Sequence, residues 1–542
     1  MKFRPHGRVC GATAALCASL LLIPAQAQDS SAAAADSRTQ SDEMSQMKAQ
    51  LAAQQKEIEE LRLMLQEQKT LVEGKTPAKL GEVASTVAIV PGNSPAPMSL
   101  NPQKTPEESH VAPLHFNIGN ATFSPLGFVD LTQVIRSTNV GSGIGTSFGG
   151  IPSNQSVAGK LSESRFSMQN SRLGMKIDSD VLGAHVTGYL ETDFLGNAPT
   201  NLAVSSNSDT LRLRLYWVDI RKDKFEFLGG QTWSLLTPNR KGLSALPSDL
   251  FYTQDMDTNY QAGLVWSRAP EARFIYHLND NIAWGVSLAA SEQYTGSGVV
   301  FPNALNTAYS TQFNTGGNGI ATPNLMPDII SKIAFDDTPG GHATHFEVGG
   351  VLRAFRAYNP MTPAHFYKVG GAGTVNFNVE VAHNFRLVAN TFFGSGGGRY
   401  VFGLGPDVAI KPDGDISLID SASTVDGFEY SLKPRDNPNG LETLIYGYYG
   451  GVYYWRASFV DTNGKLIGYG FSGSSASANR AIQEGTFGVT QTIWKNPSYG
   501  DLKLITQYSY LSRNPWYVAA TTGGTPTWNS HMVFVDLRYD IP

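Results

Sequence analysis

The chain has 542 residues, 16% charged, 11% aromatic and 41% hydrophobic, with 55 Gly, 29 Pro and a formal net charge of −5. Charge this sparse, combined with abundant Gly and aromatics, excludes wholesale disorder, and the mild negative balance gives no bulk attraction to nucleic acid. Outside the first residues no run approaches the roughly 18 apolar positions of a membrane helix. A helical transporter is therefore excluded, and a large secreted β-structure or a membrane β-barrel remains.

Residues 1–27 read as a secretory signal peptide: Lys2, Arg4 and Arg8 precede an apolar stretch, and Ala25-Gln26-Ala27 gives small residues before a cut at Gln28. Cys10 and Cys17, the only cysteines, lie inside it. The exported chain is expected to use no disulfides, so stability must come from size and hydrogen bonding. Residues 28–41 form a short polar leader.

Over residues 42–73 the spacing becomes 3-4-3-4. Met44, Leu51, Ile58, Leu65 and Val72 take position a of a heptad; Met47, Gln54, Leu61 and Gln68 take position d. This seam predicts an α-helical coiled coil that self-associates, the two Gln trading stability for a specified oligomer. The alternative is one amphipathic helix packed on a core, but more than four heptads keep register without Gly or Pro. Residues 74–113 carry seven prolines and few large apolar side chains, which predicts an extended, semi-rigid linker.

From residue 114 to 542 the dominant period is two. Leu173, Met175 and Ile177 alternate with Arg172, Gly174, Lys176 and Asp178; Ala184, Val186 and Leu190 alternate with His185, Thr187, Tyr189, Glu191 and Asp193. Leu211, Leu213 and Leu215 alternate with Arg212, Arg214 and Tyr216. The last run sets Val533, Val535, Leu537 and Tyr539 opposite Met532, Phe534, Asp536, Arg538 and Asp540. A sandwich would alternate in the same way. Three features favour an all-β, antiparallel transmembrane barrel. The strand pattern recurs for too long for one sandwich, with no helical pattern between. Aromatics crowd strand ends, as at Tyr446-Gly447-Tyr448-Tyr449 and Tyr453-Tyr454-Trp455, where interface girdles need them. Whole Arg and Lys side chains occupy the polar face, as a wet lumen requires. Strands of about 10 residues with their connections give roughly 16 strands. Gly/Ser/Asn-rich residues 141–160, 294–326, 394–415 and 469–479 are expected to be long loops.

On this reading Arg172, Lys176, Arg212 and Arg214 line the pore, because each stands opposite an aliphatic on its own strand. A cation facing lipid near the midplane would cost about 2–4 kcal/mol. Rings of Arg favour anions, since the guanidinium stays charged and forks onto carboxylate or phosphate. The alternative is that these arginines pair with Glu191, Asp193 and other inward acids. Arg268 and Arg273, flanking Pro270, are candidates for the pore mouth. Residues 235–260 are expected to fold inward as a constriction loop, with Asp249, Asp255 and Asp257 opposing the arginine wall.

Signals for catalysis or a cofactor are thin. His342 and His345 lack a third metal ligand, Asp413-Gly414-Asp415 lacks the rest of a calcium loop, and Gly141-Ser142-Gly143-Ile144-Gly145 lacks a following helix. No Gly-x-Ser-x-Gly elbow accompanies a helix. No cofactor, metal or enzyme activity is expected.

Several motifs resemble the DcaP-like outer-membrane porins: Gly229-Gly230-Gln231-Thr232-Trp233-Ser234 after an apolar strand, Leu211-Arg212-Leu213-Arg214, Ser171-Arg172-Leu173-Gly174, Gly488-Val489-Thr490-Gln491-Thr492 and the closing Leu537-Arg538-Tyr539-Asp540-Ile541-Pro542. The resemblance covers the whole barrel, and a preceding coiled coil belongs to the same layout. It implies a homotrimer of 16-stranded barrels in a Gram-negative-type outer membrane, placed by the barrel-assembly machinery; the chain departs from the general porin pattern in closing on Pro542 rather than Phe, so Tyr539 is expected to serve as the terminal aromatic. It further implies an arginine-lined path for small anionic solutes of dicarboxylate type, and a coiled coil in the periplasm. A structural anchor tethered by that coil, and less so an outer-membrane hydrolase, are the rival readings.

Overall fold

The computed structural model describes residues 114–542 apart from 197–209, 247–249, 256–259, 317–322, 325, 433–440 and 520–523. The signal peptide, the heptad segment with Met44, Met47, Leu51, Ile58, Leu61, Leu65 and Val72, and the Pro-rich linker lie outside the described residues.

Sixteen antiparallel strands close into one barrel. In chain order they are β1 (Ala121–Arg136), β2 (Glu163–Ser167 continued by Arg172–Val181), β3 (Ala184–Asp193), β4 (Arg212–Lys222), β5 (Phe225–Trp233), β6 (Arg268–His277), β7 (Ile282–Ala289) and β8 (Asp328–Asp337). The second half comprises β9 (Thr344–Asn359), β10 (Ala364–Ala382), β11 (Phe385–Ser395), β12 (Asp420–Leu432), β13 (Thr443–Tyr454), β14 (Asn479–Asn496), β15 (Gly500–Pro515) and β16 (Trp528–Asp540). Each strand pairs with its chain neighbours. The ring closes where Phe128–Arg136 of β1 pairs with Asp540–Met532 of β16, so no sheet edge is left open. The piece Phe116–Ile118 adds a short pairing at the start of β1.

The two rims differ. One carries tight reversals such as Leu182-Gly183, Asp223-Lys224 and His383-Asn384, where Leu182, Gly183, Asp223 and Asn384 all take positive φ, as two-residue hairpins require. The other carries the long connections. The expected loops fall there, although Gly394 and Ser395 still belong to β11 and Asn479 opens β14.

Period two sorts the wall. On β16, Val533, Val535, Leu537 and Tyr539 are exposed while Met532, Phe534, Asp536, Arg538 and Asp540 are buried. Exposed Val129, Leu173, Leu213, Phe227, Phe274, Leu288, Ile333, Val348 and Phe377 continue an apolar outer surface round the barrel. A bilayer requires this arrangement of strands, since a sheet in lipid satisfies all its backbone groups only when it closes, with its aliphatics turned outward. Asp426 on β12 departs from the pattern: it faces outward and accepts a hydrogen bond from Thr424 Oγ1 at 2.7 Å.

Two local expectations are corrected. Leu215 does not share the outer face with Leu213. The register between β3 and β4 slips between Glu191 and Thr192, so Leu215 turns inward and is buried while Tyr216 turns out. A β-bulge reverses every facing beyond it. Tyr446 and Tyr448 are not girdle residues either. They are buried and stack on each other at 5.5 Å, whereas Tyr449 and Trp455 are exposed.

The Gly-Gly-Gln-Thr-Trp run has a structural reason at Gly230. Its φ is 143°, and a Cβ there would sit 2.5 Å from the Trp217 Cα and 2.4 Å from the Tyr216 carbonyl oxygen. Only glycine lets β5 approach β4 so closely.

Candidate channel interior

The inward faces of β2, β3 and β4 carry a ladder of paired charges. Arg214 reaches Glu191 at 2.6 Å and Asp193 at 2.8 Å, all three buried. Arg212, about one-third exposed, forks onto Asp193 with contacts of 3.0 and 2.5 Å. Arg172, in register with Asp193, lays its guanidinium 5.3 Å from the centre of the Phe128 ring. Lys176 meets Asp178 at 3.0 Å and stays partly exposed. The acids anticipated as the alternative partners are therefore the partners Arg212 and Arg214 have. Their charge is largely compensated along the wall, which keeps buried guanidinium groups tolerable.

Arg273 is buried against Glu271 and donates to the Trp233 carbonyl at 2.7 Å. Arg268 opens β6 and shares its parity with the outward Pro270 and Phe274, and its guanidinium lies 5.8 Å from the Trp266 ring. Strand parity thus separates Arg268 from Arg273, which points inward.

The connection between β5 and β6, residues 234–267, is the most consequential element of the interior. Leu235, Leu236, Leu250, Phe251, Asp255 and Tyr260 are all buried on it. Its bonds run to inward residues on an arc of wall distinct from the arginine ladder. Lys332 on β8 donates to the Thr237 carbonyl at 2.7 Å, and Asn239 N–H reaches Glu347 on β9 at 3.3 Å. Val265 N–H reaches Asn390 on β11 at 2.8 Å, and Ala262 N–H reaches Glu484 on β14 at 2.7 Å. Gln254 N–H reaches Gln507 on β15 at 2.9 Å, while Arg538 on β16 donates to Gln254 Oε1 at 3.0 Å. Phe251 packs edge-on against Tyr448 at 5.1 Å.

The strongest anchor of this loop is Arg240. It grips Glu429 on β12 at 2.8 and 2.5 Å and donates to the Leu250 carbonyl at 2.8 Å. Burial works against its charge, but Glu429 and then Tyr252 outweigh burial and hold the guanidinium well above its ordinary pKa. Of the three loop acids, Asp249 and Asp257 lie outside the described residues. Asp255 is fully buried, and burial pushes its carboxyl up to about 6. Its carboxylate accepts from Gln507 on β15 at 2.9 Å, and the cation acting on it is Arg136 rather than Arg172, Arg212 or Arg214.

At the long-loop rim a second buried network joins Arg353 on β9, Asp328 on β8 and Asp407, Arg399 and Tyr400 from the β11–β12 connection. Neither Arg240 nor this network stood out in the sequence. Their partners are distant in the chain, Arg240 and Glu429 by 189 positions, and an isolated loop arginine carries no periodic signal. Among the described residues no group of three or more His, Cys, Asp or Glu could hold a metal ion.

No protein-family model matches the chain, and no curated protein does. Among solved structures, the outer membrane channel DcaP of Acinetobacter baumannii superposes with a TM-score of 0.53 at 17% identity, over 78% of this chain and 99% of that one. An anion-selective porin from Comamonas acidovorans gives 0.41 at 11% identity, over 78% and 100%. OmpT of Vibrio cholerae, in its trimer form, gives 0.40 at 10%, over 78% and 99%. The resemblance read from the motifs is borne out at the level of architecture: residues 114–542 have the fold of the DcaP outer-membrane channel.

Proposed function

We propose that this chain is an outer-membrane porin, a homotrimeric, water-filled channel for passive diffusion of small anionic hydrophilic solutes of dicarboxylate type. The observation that carries this reading is the long β5–β6 loop folded into a closed, charged barrel whose outer surface is apolar. An anchor has no use for an inward loop tied by an ion pair and hydrogen bonds to strands between β8 and β16, whereas a channel needs a fixed narrow point. Transport then follows from pore radius and local field, without coupled energy and without catalysis. Partly exposed Arg212 and Lys176 are the cations of the proposed path that solvent and solutes reach.

Single-channel recording in planar bilayers tests the reading. Steady ohmic conductance is expected, with an anion-biased reversal potential under a salt gradient and a smaller bias in Arg212→Gln. An electrically silent barrel would sink the proposal; a cation-biased one would sink its solute class. The heptad segment is proposed to stand in the periplasm and help assemble the trimer. Deleting residues 42–73 should lower the temperature at which the trimer dissociates on semi-native gels more than that at which the barrel unfolds. Unchanged trimer dissociation would remove that role.

A further inference from the structure

The outer surface of the barrel carries a cluster that takes no part in the proposed solute path. Where β11, β13 and β15 reach the long-loop rim, four aromatic rings join in a row. Phe393 lies 6.1 Å from Trp455, Trp455 lies 4.7 Å from Tyr453, and Tyr453 lies 5.9 Å from Trp516. Parity turns this row away from the lumen. Tyr453 and Trp455 follow the outward Tyr449 at steps of two, and Phe393 follows the outward Leu387 in the same way. Phe393 is 63% exposed and Trp455 39%. Trp516, directly after β15, donates its Nε1–H to the Tyr454 carbonyl at 3.1 Å, which fixes the indole.

Two arginines flank that indole. A register shift between Asn479 and Ala481 makes Arg480 the extra residue of a bulge at the start of β14, and its guanidinium lies 6.0 Å from the Trp516 ring centre. Arg456 directly follows Trp455, and Gly470 packs against both Arg456 and Trp516. Its φ is 74°, and a Cβ there would fall 2.6 Å from Trp516 Cδ1 and 3.0 Å from Arg456 Cβ, so glycine brings the two side chains together. Both arginines are exposed, and neither is ion-paired among the described residues. Asp420, whose carbonyl accepts from Trp455 N–H at 3.0 Å, gives its carboxylate to the Ser395 hydroxyl instead. The outward arginine of β9 differs: Arg356 donates to the Pro323 carbonyl at 2.7 Å.

Long connections mark the extracellular side of such barrels, and aromatic side chains at that rim sit at the depth of the lipid headgroups. Cations beside an aromatic belt meet headgroup phosphates, and a guanidinium matches phosphate with paired hydrogen bonds. We propose that Arg456, Arg480 and the row from Phe393 to Trp516 form a docking site for the phosphorylated headgroup of lipopolysaccharide, the glycolipid of the outer leaflet. The arginines take the phosphate and the aromatic row seats the headgroup, leaving the acyl chains in the bilayer. A soluble anion would gain from the arginines alone. The proposal needs the barrel in an outer membrane and does not need it to conduct.

The test titrates the full-length protein in detergent with diphosphoryl lipid A, reading bound lipid per protomer by native mass spectrometry. Affinity should fall about fivefold in Arg480→Gln and about 30-fold when Arg456→Gln is added, as expected for cations at a membrane surface. Lipid A stripped of both phosphates should bind wild type and the double variant equally weakly, and Arg356→Gln should bind diphosphoryl lipid A as wild type does. Unfolding temperature on semi-native gels checks that the variants fold, and Arg480→Gln alone carries the test where the double variant does not. Equal affinity in wild type and the variants, or a loss that persists with phosphate-free lipid, would overturn the site. Inorganic phosphate that displaces lipid A at equal concentration would replace it with a soluble-anion site. Trimers that dissociate in the double variant with lipid binding unchanged would replace it with a contact between protomers. An electrically silent barrel that still binds lipid A through its phosphates defeats the porin reading alone.

Discussion

Arg240→Ala is expected to raise single-channel conductance several-fold and to make the open level unsteady. Arg240 makes a two-pronged ion pair with Glu429, bonds the Leu250 carbonyl across the loop, and lies over the Tyr252 ring at 5.1 Å. Both partners of the pair are more than nine-tenths buried at the side chain, so water cannot replace the lost contact. Breaking one half of a buried ion pair costs about 3–5 kcal/mol, because the remaining charge is stranded. A neutral hydrogen bond between loop and wall contributes only about 0.5–1.5 kcal/mol, so no single one of the other anchors compensates. The stranded Glu429 keeps a bond from the Tyr448 hydroxyl at 2.8 Å, which holds it in place but not the loop. The double variant Arg240→Met with Glu429→Leu removes the stranded charge along with the pair. It should lose less thermal stability than Arg240→Ala, as apolar replacement of both partners is close to neutral. The measurements are conductance in planar bilayers and the unfolding temperature on semi-native gels. Wild-type conductance in Arg240→Ala would show that this loop does not set the narrow point.

Why some of this was legible in the sequence and some was not follows from how far each signal reaches along the chain. Facing is a property of a residue and its neighbours two positions away, so β16 was readable residue by residue. The same rule failed at Leu215 because a bulge depends on the partner strand, which period two does not encode. Tyr446 and Tyr448 show the other limit. Aromatic side chains suit both an interface girdle and a packed interior, and here Phe251 and Tyr252, nearly 200 positions earlier in the chain, decide for the interior. The arginines of β2 and β4 point as parity demands, yet what they do is set by Glu191 and Asp193 on the intervening β3. The sequence placed those acids on the same inward face but held no measure of distance. The inward course of the β5–β6 loop was visible only as order and composition. Its anchors, Glu347, Asn390, Glu429, Glu484 and Gln507, come from five strands and acquire meaning only once the barrel closes.

Replacing Arg353 with Met should produce the largest loss of stability at the long-loop rim. Arg353 bonds Asp328 at 3.1 Å and Asp407 at 2.8 Å, donates to the Gly396 and Glu292 carbonyls, and lies 4.9 Å from the Phe355 ring. One guanidinium thus ties the β7–β8 and β11–β12 connections to the barrel wall. Met preserves much of its volume but leaves two fully buried carboxylates with Arg399, which reaches Asp328 at 2.8 Å, as their one cation among the described residues. The expected cost is at least that of breaking a single buried pair, about 3–5 kcal/mol, read as a lower unfolding temperature at neutral pH. Acid should then rescue the variant. Asp407 already has its carboxyl pushed above its ordinary pKa by burial, against the pull of Arg353, and loss of Arg353 pushes it further in the same direction. A group whose folded pKa is raised contributes stability below its titration and loses it as pH rises through it. The variant should therefore regain stability as the medium is acidified toward that titration, and by more than wild type, whose Asp407 is shifted less because Arg353 pulls against burial. Conductance offers a control, since the Arg240 anchor is untouched and the narrow point should keep its wild-type level. A variant that unfolds at the wild-type temperature at neutral pH would mean that Arg399 alone compensates both carboxylates. One that is destabilised equally at every pH would place the loss in packing against Phe355 and Tyr400 rather than in charge.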